Sequence, residues 1–122
     1  MILEGGPSGV IDVTQRFLPR SFSGDWPIFS RLVSGPVKDF NLMAWREEVT
    51  SSLTCIEVAA PLQLGGENLT AFAYVIGGEL EAHGQKFREG ESLVLPAGER
   101  VNLTPCGSFG AARLALCRIR RR

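Results

Sequence analysis

The 122-residue chain has one histidine, His83, one tyrosine, Tyr74, and three cysteines. A single histidine cannot build the clusters that small β-rich domains use as metal ligands or proton relays. Cys55, Cys106 and Cys117 form no C-x-x-C pair and have no histidine beside them, which argues against a zinc ribbon or knuckle. Their odd number argues against a disulfide scaffold. Cys55 in LTCIEV and Cys117 in LALCRI stand inside apolar runs, where a thiol serves as a small buried hydrophobe, and a reducing, cytoplasmic setting is expected. Net charge is also lacking: 13 Lys and Arg balance 13 Asp and Glu, so nucleic acid is not the default partner. Up to Cys117 the body is mildly acidic, and Arg118, Arg120, Arg121 and Arg122 crowd the end. Such a tail is expected to fray and to aid solubility. Long hydrophobic runs are missing too. Apolar stretches such as 71–76 fall far short of the roughly 20 residues a membrane helix needs, and the opening MILEGGPSG has no secretory leader pattern.

What the chain does have is 44% hydrophobic residues, fourteen Gly and seven Pro. That apolar content fills a core, and no long window carries sustained helical spacing free of Gly or Pro. Strands are predicted at 9–13, 28–33, 40–43, 53–60, 70–76, 79–83, 92–95, 100–104 and 111–119. Gly- and Pro-rich turns separate most of them, which predicts an antiparallel sandwich or barrel. There is also an internal echo. Ile2-Leu3-Glu4-Gly5 parallels Val75-Ile76-Gly77-Gly78, and Ser23-Gly24-Asp25 parallels Ala97-Gly98-Glu99, so one β-turn-β unit is expected twice.

The second copy resembles a cupin, a double-stranded β-helix of the jelly-roll kind. Gly90, Pro96 and Gly98 match the first half of the family's second motif, Gly-x5-Pro-x-Gly. Its metal-binding histidine position then falls on Val101 and its asparagine position on Pro105. In the first motif the glutamate position falls on Ala71 and the histidine pair falls near Gly65 to Glu67. A first-row metal wants three or four converging N, O or S ligands, so a metal-free barrel is expected, with no cofactor.

A more specific resemblance lies in GPVKDFNLM, residues 35–43, preceded by FSGDWP and by the ILEGG start and followed by Arg46. This run is similar to the HutD/Ves family of two-repeat cupins. The resemblance implies an all-β cupin fold with one complete repeat and a partial first repeat: residues 1–46 as the partial repeat and crossover, 47–122 as the second. Family members are typically longer at the N-terminus, so the opening strands of the first repeat are expected to be missing. The family also implies a bacterial protein of histidine utilisation, without an assigned reaction, that binds a small metabolite or regulates.

Four residues are candidate ligand contacts. Asp39 and Asn41 stand two apart, and in an extended segment both face one side, suiting either a polar ligand or a main-chain anchor. Arg46 offers a planar fork for a carboxylate. Trp26 follows a Gly-Asp turn and either walls a pocket or fills core space. No catalytic residue is assigned. His83 is placed at a hairpin tip.

Two functions remain open at this level. The first is a metal-independent, non-catalytic protein that binds an anionic metabolite through Asp39, Asn41 or Arg46. The second is a metal-independent isomerase or epimerase using Tyr74, which strand alternation could turn inward. A small molecule is the expected partner in both, without nucleic acid or membrane, and open strand edges are expected to favour a homo-oligomer.

Overall fold

The structure, a computed structural model, describes every residue except Ser8 and Phe109. It divides into two units, Met1–Asn41 and Leu42–Arg122. Among the described residues there is no helix, and every strand pairing is antiparallel.

The first unit is a three-stranded sheet. Strands β1 (Ile2–Gly5), β2 (Val10–Asp12) and β3 (Ile28–Arg31) lie in the order β2-β1-β3. Leu3 and Ile11 are direct partners across β1 and β2, so they share a face, and both are buried. Gly5 has φ of 129°, and a Cβ there would come 2.2 Å from the Pro27 carbonyl oxygen, so only glycine fits.

The second unit contains β4 (Val49–Val58), β5 (Leu62–Gly65), β6 (Thr70–Gly77), β7 (Glu79–Ala82), β8 (Gln85–Arg88), β9 (Ser92–Leu95), β10 (Arg100–Pro105) and β11 (Ala112–Arg121). Two four-stranded sheets result, β5-β10-β7-β8 and β4-β11-β6-β9. The chain crosses from one sheet to the other at every connection except β7–β8, which is a hairpin within one sheet. That strand order is an eight-stranded jelly roll, the arrangement to which cupins belong.

Alternation explains the layering. In β6 the small residues Ala71, Ala73 and Val75 face inward with Leu114 and Leu116 of β11, while Leu80, Ala82, Leu95, Val101 and Leu103 meet them from other strands in one buried cluster. Burying each of the larger side chains contributes about 1.5–3 kcal/mol relative to exposure. The opposite face of β4-β11-β6-β9 is apolar as well. Leu53, Cys117, Phe72 and Val94 form one cross-strand row and Cys55, Ala115, Tyr74 and Ser92 the next.

Several expectations change. Residues 40–43 form no strand, and among the described residues no strand pairs with them. Three strands escaped the pattern: β1, the short β5 ending in Gly65-Gly66, and the mostly polar β8. The counterpart of β1 is β5 rather than residues 75–78. Gly5 pairs with Ile28, and a Cβ on it would strike the Pro27 carbonyl, just as Gly65 pairs with Arg100 and a Cβ on it would come 2.1 Å from the Glu99 carbonyl. The arginine-rich end is not frayed, since β11 runs to Arg121, paired throughout with β4.

Candidate functional site

The jelly-roll interior is the natural place for a site, and here it is filled by hydrocarbon. Ala73, Val75, Leu80, Phe87, Leu93, Leu103 and Leu114 line a cavity of about 10 Å3, the room of about one water. The position where a cupin carries its second-motif histidine is Val101, buried opposite Leu64, and the glutamate position is Ala71, also buried in the core cluster. Neither side chain can ligate a metal. Among the described residues no group of three or more His, Cys, Asp or Glu converges. The residues present therefore do not fit the metal of the wider cupin fold.

The inward face changes character beyond the core. Along β11 the inward positions run Ala112, Leu114, Leu116, Arg118 and Arg120; along β4 they run Val58, Ile56, Thr54, Ser52 and Thr50. Leucine against isoleucine thus gives way to arginine against hydroxyl: Arg118 faces Ser52, and Arg120 faces Thr50. These residues and Ser51 line an open hollow of about 160 Å3. Arg118 is half-buried and Arg120 exposed.

Register decides whether an arginine finds a carboxylate. Arg113 lies opposite Glu57 and reaches it at 3.7 Å; Arg88 lies opposite Glu79, also at 3.7 Å. Arg118 and Arg120 lie opposite hydroxyls, and neither guanidinium has a hydrogen-bond or ion-pair partner among the described residues. The strand ends beneath them are held firmly. The Arg122 amide donates to the Glu48 carbonyl at 2.9 Å, and the Arg122 guanidinium donates to the Arg46 carbonyl.

With this geometry in view, the HutD family profile matches residues 1–110. The chain belongs to the HutD family. No curated protein matches it. Among solved structures it is similar to the Clostridium difficile EutQ protein, at 18% identity and a TM-score of 0.44 over 62% of this chain and 59% of that one. It is also similar to the cupin domain of Schizosaccharomyces pombe Cnp3, at 13% identity and a TM-score of 0.46 over 66% of this chain and 61% of that one. The chain thus spans about three fifths of the length of these two structures.

The residues suggested by the HutD resemblance are distributed over both units. In the first, the Asn41 amide donates to the Asp39 carboxylate at 2.7 Å, and both residues are exposed. Trp26 closes a turn in which its amide donates to the Ser23 carbonyl at 3.3 Å and the Asp25 amide donates to the Ser23 hydroxyl at 3.2 Å. Its half-buried ring lies over Gly6, where an added Cβ would come within 2.6 Å of it. Arg46 belongs to the second unit, exposed in the turn before β4, and its carbonyl accepts from Arg122. Tyr74 does not point inward. It lies between buried Ala73 and Val75 and so faces outward beside Ala115. His83 and Gly84, with φ of 52° and 74°, form the two-residue turn joining β7 to β8; both positive angles mark a type I′ hairpin. Sequence reasoning passed over Arg118 and Arg120 as a loose tail. The usable signal was their alternation with Ile119, which continues the strand pattern of LALC.

Proposed function

We propose that this HutD-family jelly roll is a metal-independent, non-catalytic protein that binds a small anionic metabolite and serves a regulatory or buffering role in histidine utilisation. One observation carries the reading: beside an interior filled by apolar side chains, two arginines without a carboxylate partner among the described residues stand over an open hollow lined by hydroxyls. Desolvated or half-buried guanidinium groups favour an oxyanion through charge-assisted, bidentate hydrogen bonds. The family membership supports the metabolic setting, and a cytoplasmic location belongs to the same reading. Arg46, in the turn before β4 of the same unit as the hollow, is a further cation for the ligand, and Asp39 with Asn41 is a separate polar pair of the first unit. An isomerase reading lacks its acid or base, since Tyr74 faces away from the interior.

The test is thermal unfolding against a panel of anionic metabolites that includes the carboxylates of histidine breakdown and phosphate monoesters. A ligand that binds only the folded chain raises Tm as its concentration passes Kd. At least one saturable rise is expected, and none at millimolar concentrations would overturn the reading. Divalent zinc, manganese and nickel, added in separate arms, are expected to produce no saturable rise.

A further inference from the structure

The hollow at the end of β4 and β11 has a more particular chemistry than attraction to negative charge, and we propose that Arg118, Arg120, Ser52 and Thr50 form a binding site for a phosphoryl group. This rests on the anion-binding reading and narrows it. Arg118 and Arg120 are two residues apart on one strand, so their backbones lie about 7 Å apart and their side chains leave the same face. Each guanidinium carries five N–H donors, and the two hydroxyls directly opposite add one donor each. A carboxylate has two oxygens to receive them. A terminal phosphoryl group has three, arranged tetrahedrally, and its charge at neutral pH approaches −2. Two forks on one side and two hydroxyls on the other thus match a tetrahedral anion better than a planar one.

Size and rigidity agree with this assignment. A void of about 160 Å3 is below the roughly 300 Å3 at which drug-sized ligand pockets begin, so it suits one small group while the rest of the molecule stays in solvent. The backbone beneath the hollow is fixed, because β4 and β11 remain paired from Ala112 and Val58 out to Arg121 and Val49. The two arginine side chains themselves have no partner among the described residues to hold them and become ordered on binding, which costs part of the affinity. The surrounding charge is favourable: residues 46–48 and 118–122 carry five arginines, Arg46, Arg118, Arg120, Arg121 and Arg122, against Glu47 and Glu48.

The experiment is isothermal titration of the whole chain with inorganic phosphate, with phosphoserine and with acetate, at constant ionic strength. The variants are Arg118→Gln, Arg120→Gln, Arg118→Lys and, as a remote control, Arg100→Gln. Phosphate and phosphoserine are expected to bind at least tenfold more tightly than acetate. Either glutamine variant should lose at least tenfold in phosphate affinity, Arg118→Lys should lose part of it, and Arg100→Gln should lose none. Acetate binding as tightly as phosphate, with the same loss in Arg118→Gln, would overturn the phosphoryl assignment and leave the anion-binding reading standing. Phosphate affinity unchanged in both glutamine variants would overturn the site, and no binding of any anion would overturn both. Should a glutamine variant fail to fold, guanidinium Nε–Hε NMR signals of Arg118 and Arg120 in the unmodified chain give the same decision. They are expected to shift with phosphate, and signals that do not move refute the site.

Discussion

Arg118 of β11 stands directly opposite Ala71 of β6, on the face of the sheet that lines the jelly-roll interior. The fold's carboxylate position is thereby reduced to a methyl group beside a cation, reversing the charge of a metal-binding cupin at that level. On its other side Arg118 faces Ser52. Replacing that hydroxyl with a carboxylate supplies the partner the register withholds. Ser52→Glu is expected to change stability by less than about 1 kcal/mol, as exposed cross-strand pairs do, while abolishing anion binding. Chemical denaturation and titration calorimetry on the same sample separate the two effects.

The apolar interior makes a different kind of prediction. Val101→His restores the histidine of the wider fold, but its cross-strand partner Leu64 and the apolar core cluster it belongs to offer no further ligand. An imidazole buried without a partner costs about 1–3 kcal/mol. The variant should therefore unfold at lower denaturant concentration and gain nothing from zinc; a saturable zinc-dependent rise in Tm would mean that the interior is more open and polar than described.

Core truncation should be costly at the centre of the cluster. Leu114→Ala and Leu103→Ala each remove a fully buried side chain that lines the small cavity and enlarge it. A loss of about 2–5 kcal/mol is expected from denaturant midpoints.

Gly65 and Gly90 separate two meanings of glycine. Both have positive φ, but a Cβ at Gly65 would meet the Glu99 carbonyl at 2.1 Å, whereas at Gly90 it would meet nothing within 4 Å. Gly90→Ala carries only the backbone penalty of roughly 1–2 kcal/mol. Gly65→Ala must also push β5 from β10, and hydrogen exchange of the Leu64 and Val101 amides should accelerate in it more than in Gly90→Ala.

The thiols give a pH dependence. Burial raises the titration of Cys55 above its ordinary 9.0, against a smaller opposing pull from Arg113. Burial also raises Cys117, with Cys55 adding to the effect. A group whose folded value lies above its unfolded one favours the folded state in its neutral form. Its contribution is whole below about pH 9 and fades as pH rises through the folded values. Stability should therefore decline above pH 9, less steeply in Cys117→Ala. In the native protein both thiols should react slowly with a disulfide reagent at pH 8, and quickly in denaturant.

Much of the fold was readable because alternation is a local property. TAFAYVI and SLVL state their inward and outward faces residue by residue, and Pro96-Ala97-Gly98 marks its turn. What stayed hidden depended on partners distant in sequence. Residues 40–43 look like a strand until no neighbour is found, and LQLG looks like a loop until β10 pairs with it. The site was hidden for the same reason. Nothing near Arg118 in sequence shows that Ser52 rather than a glutamate will stand opposite, and a terminal cluster of arginines reads as solvent-exposed until β4 is laid beside it. Alternation did carry information about Tyr74, but its phase is set by Ala73 and Val75, which face the core.

The central claim is that this jelly roll binds at its arginine-lined end and not in its interior. The most direct measurement is an NMR titration of the isotope-labelled chain with a bound anion, following backbone amides and methyl groups together. Saturable shifts are expected at Thr50, Ser52, Arg118 and Arg120, with the methyl groups of Ala73, Leu103 and Leu114 unmoved. Shifts centred on those interior methyl groups, with the arginine end silent, would contradict the account.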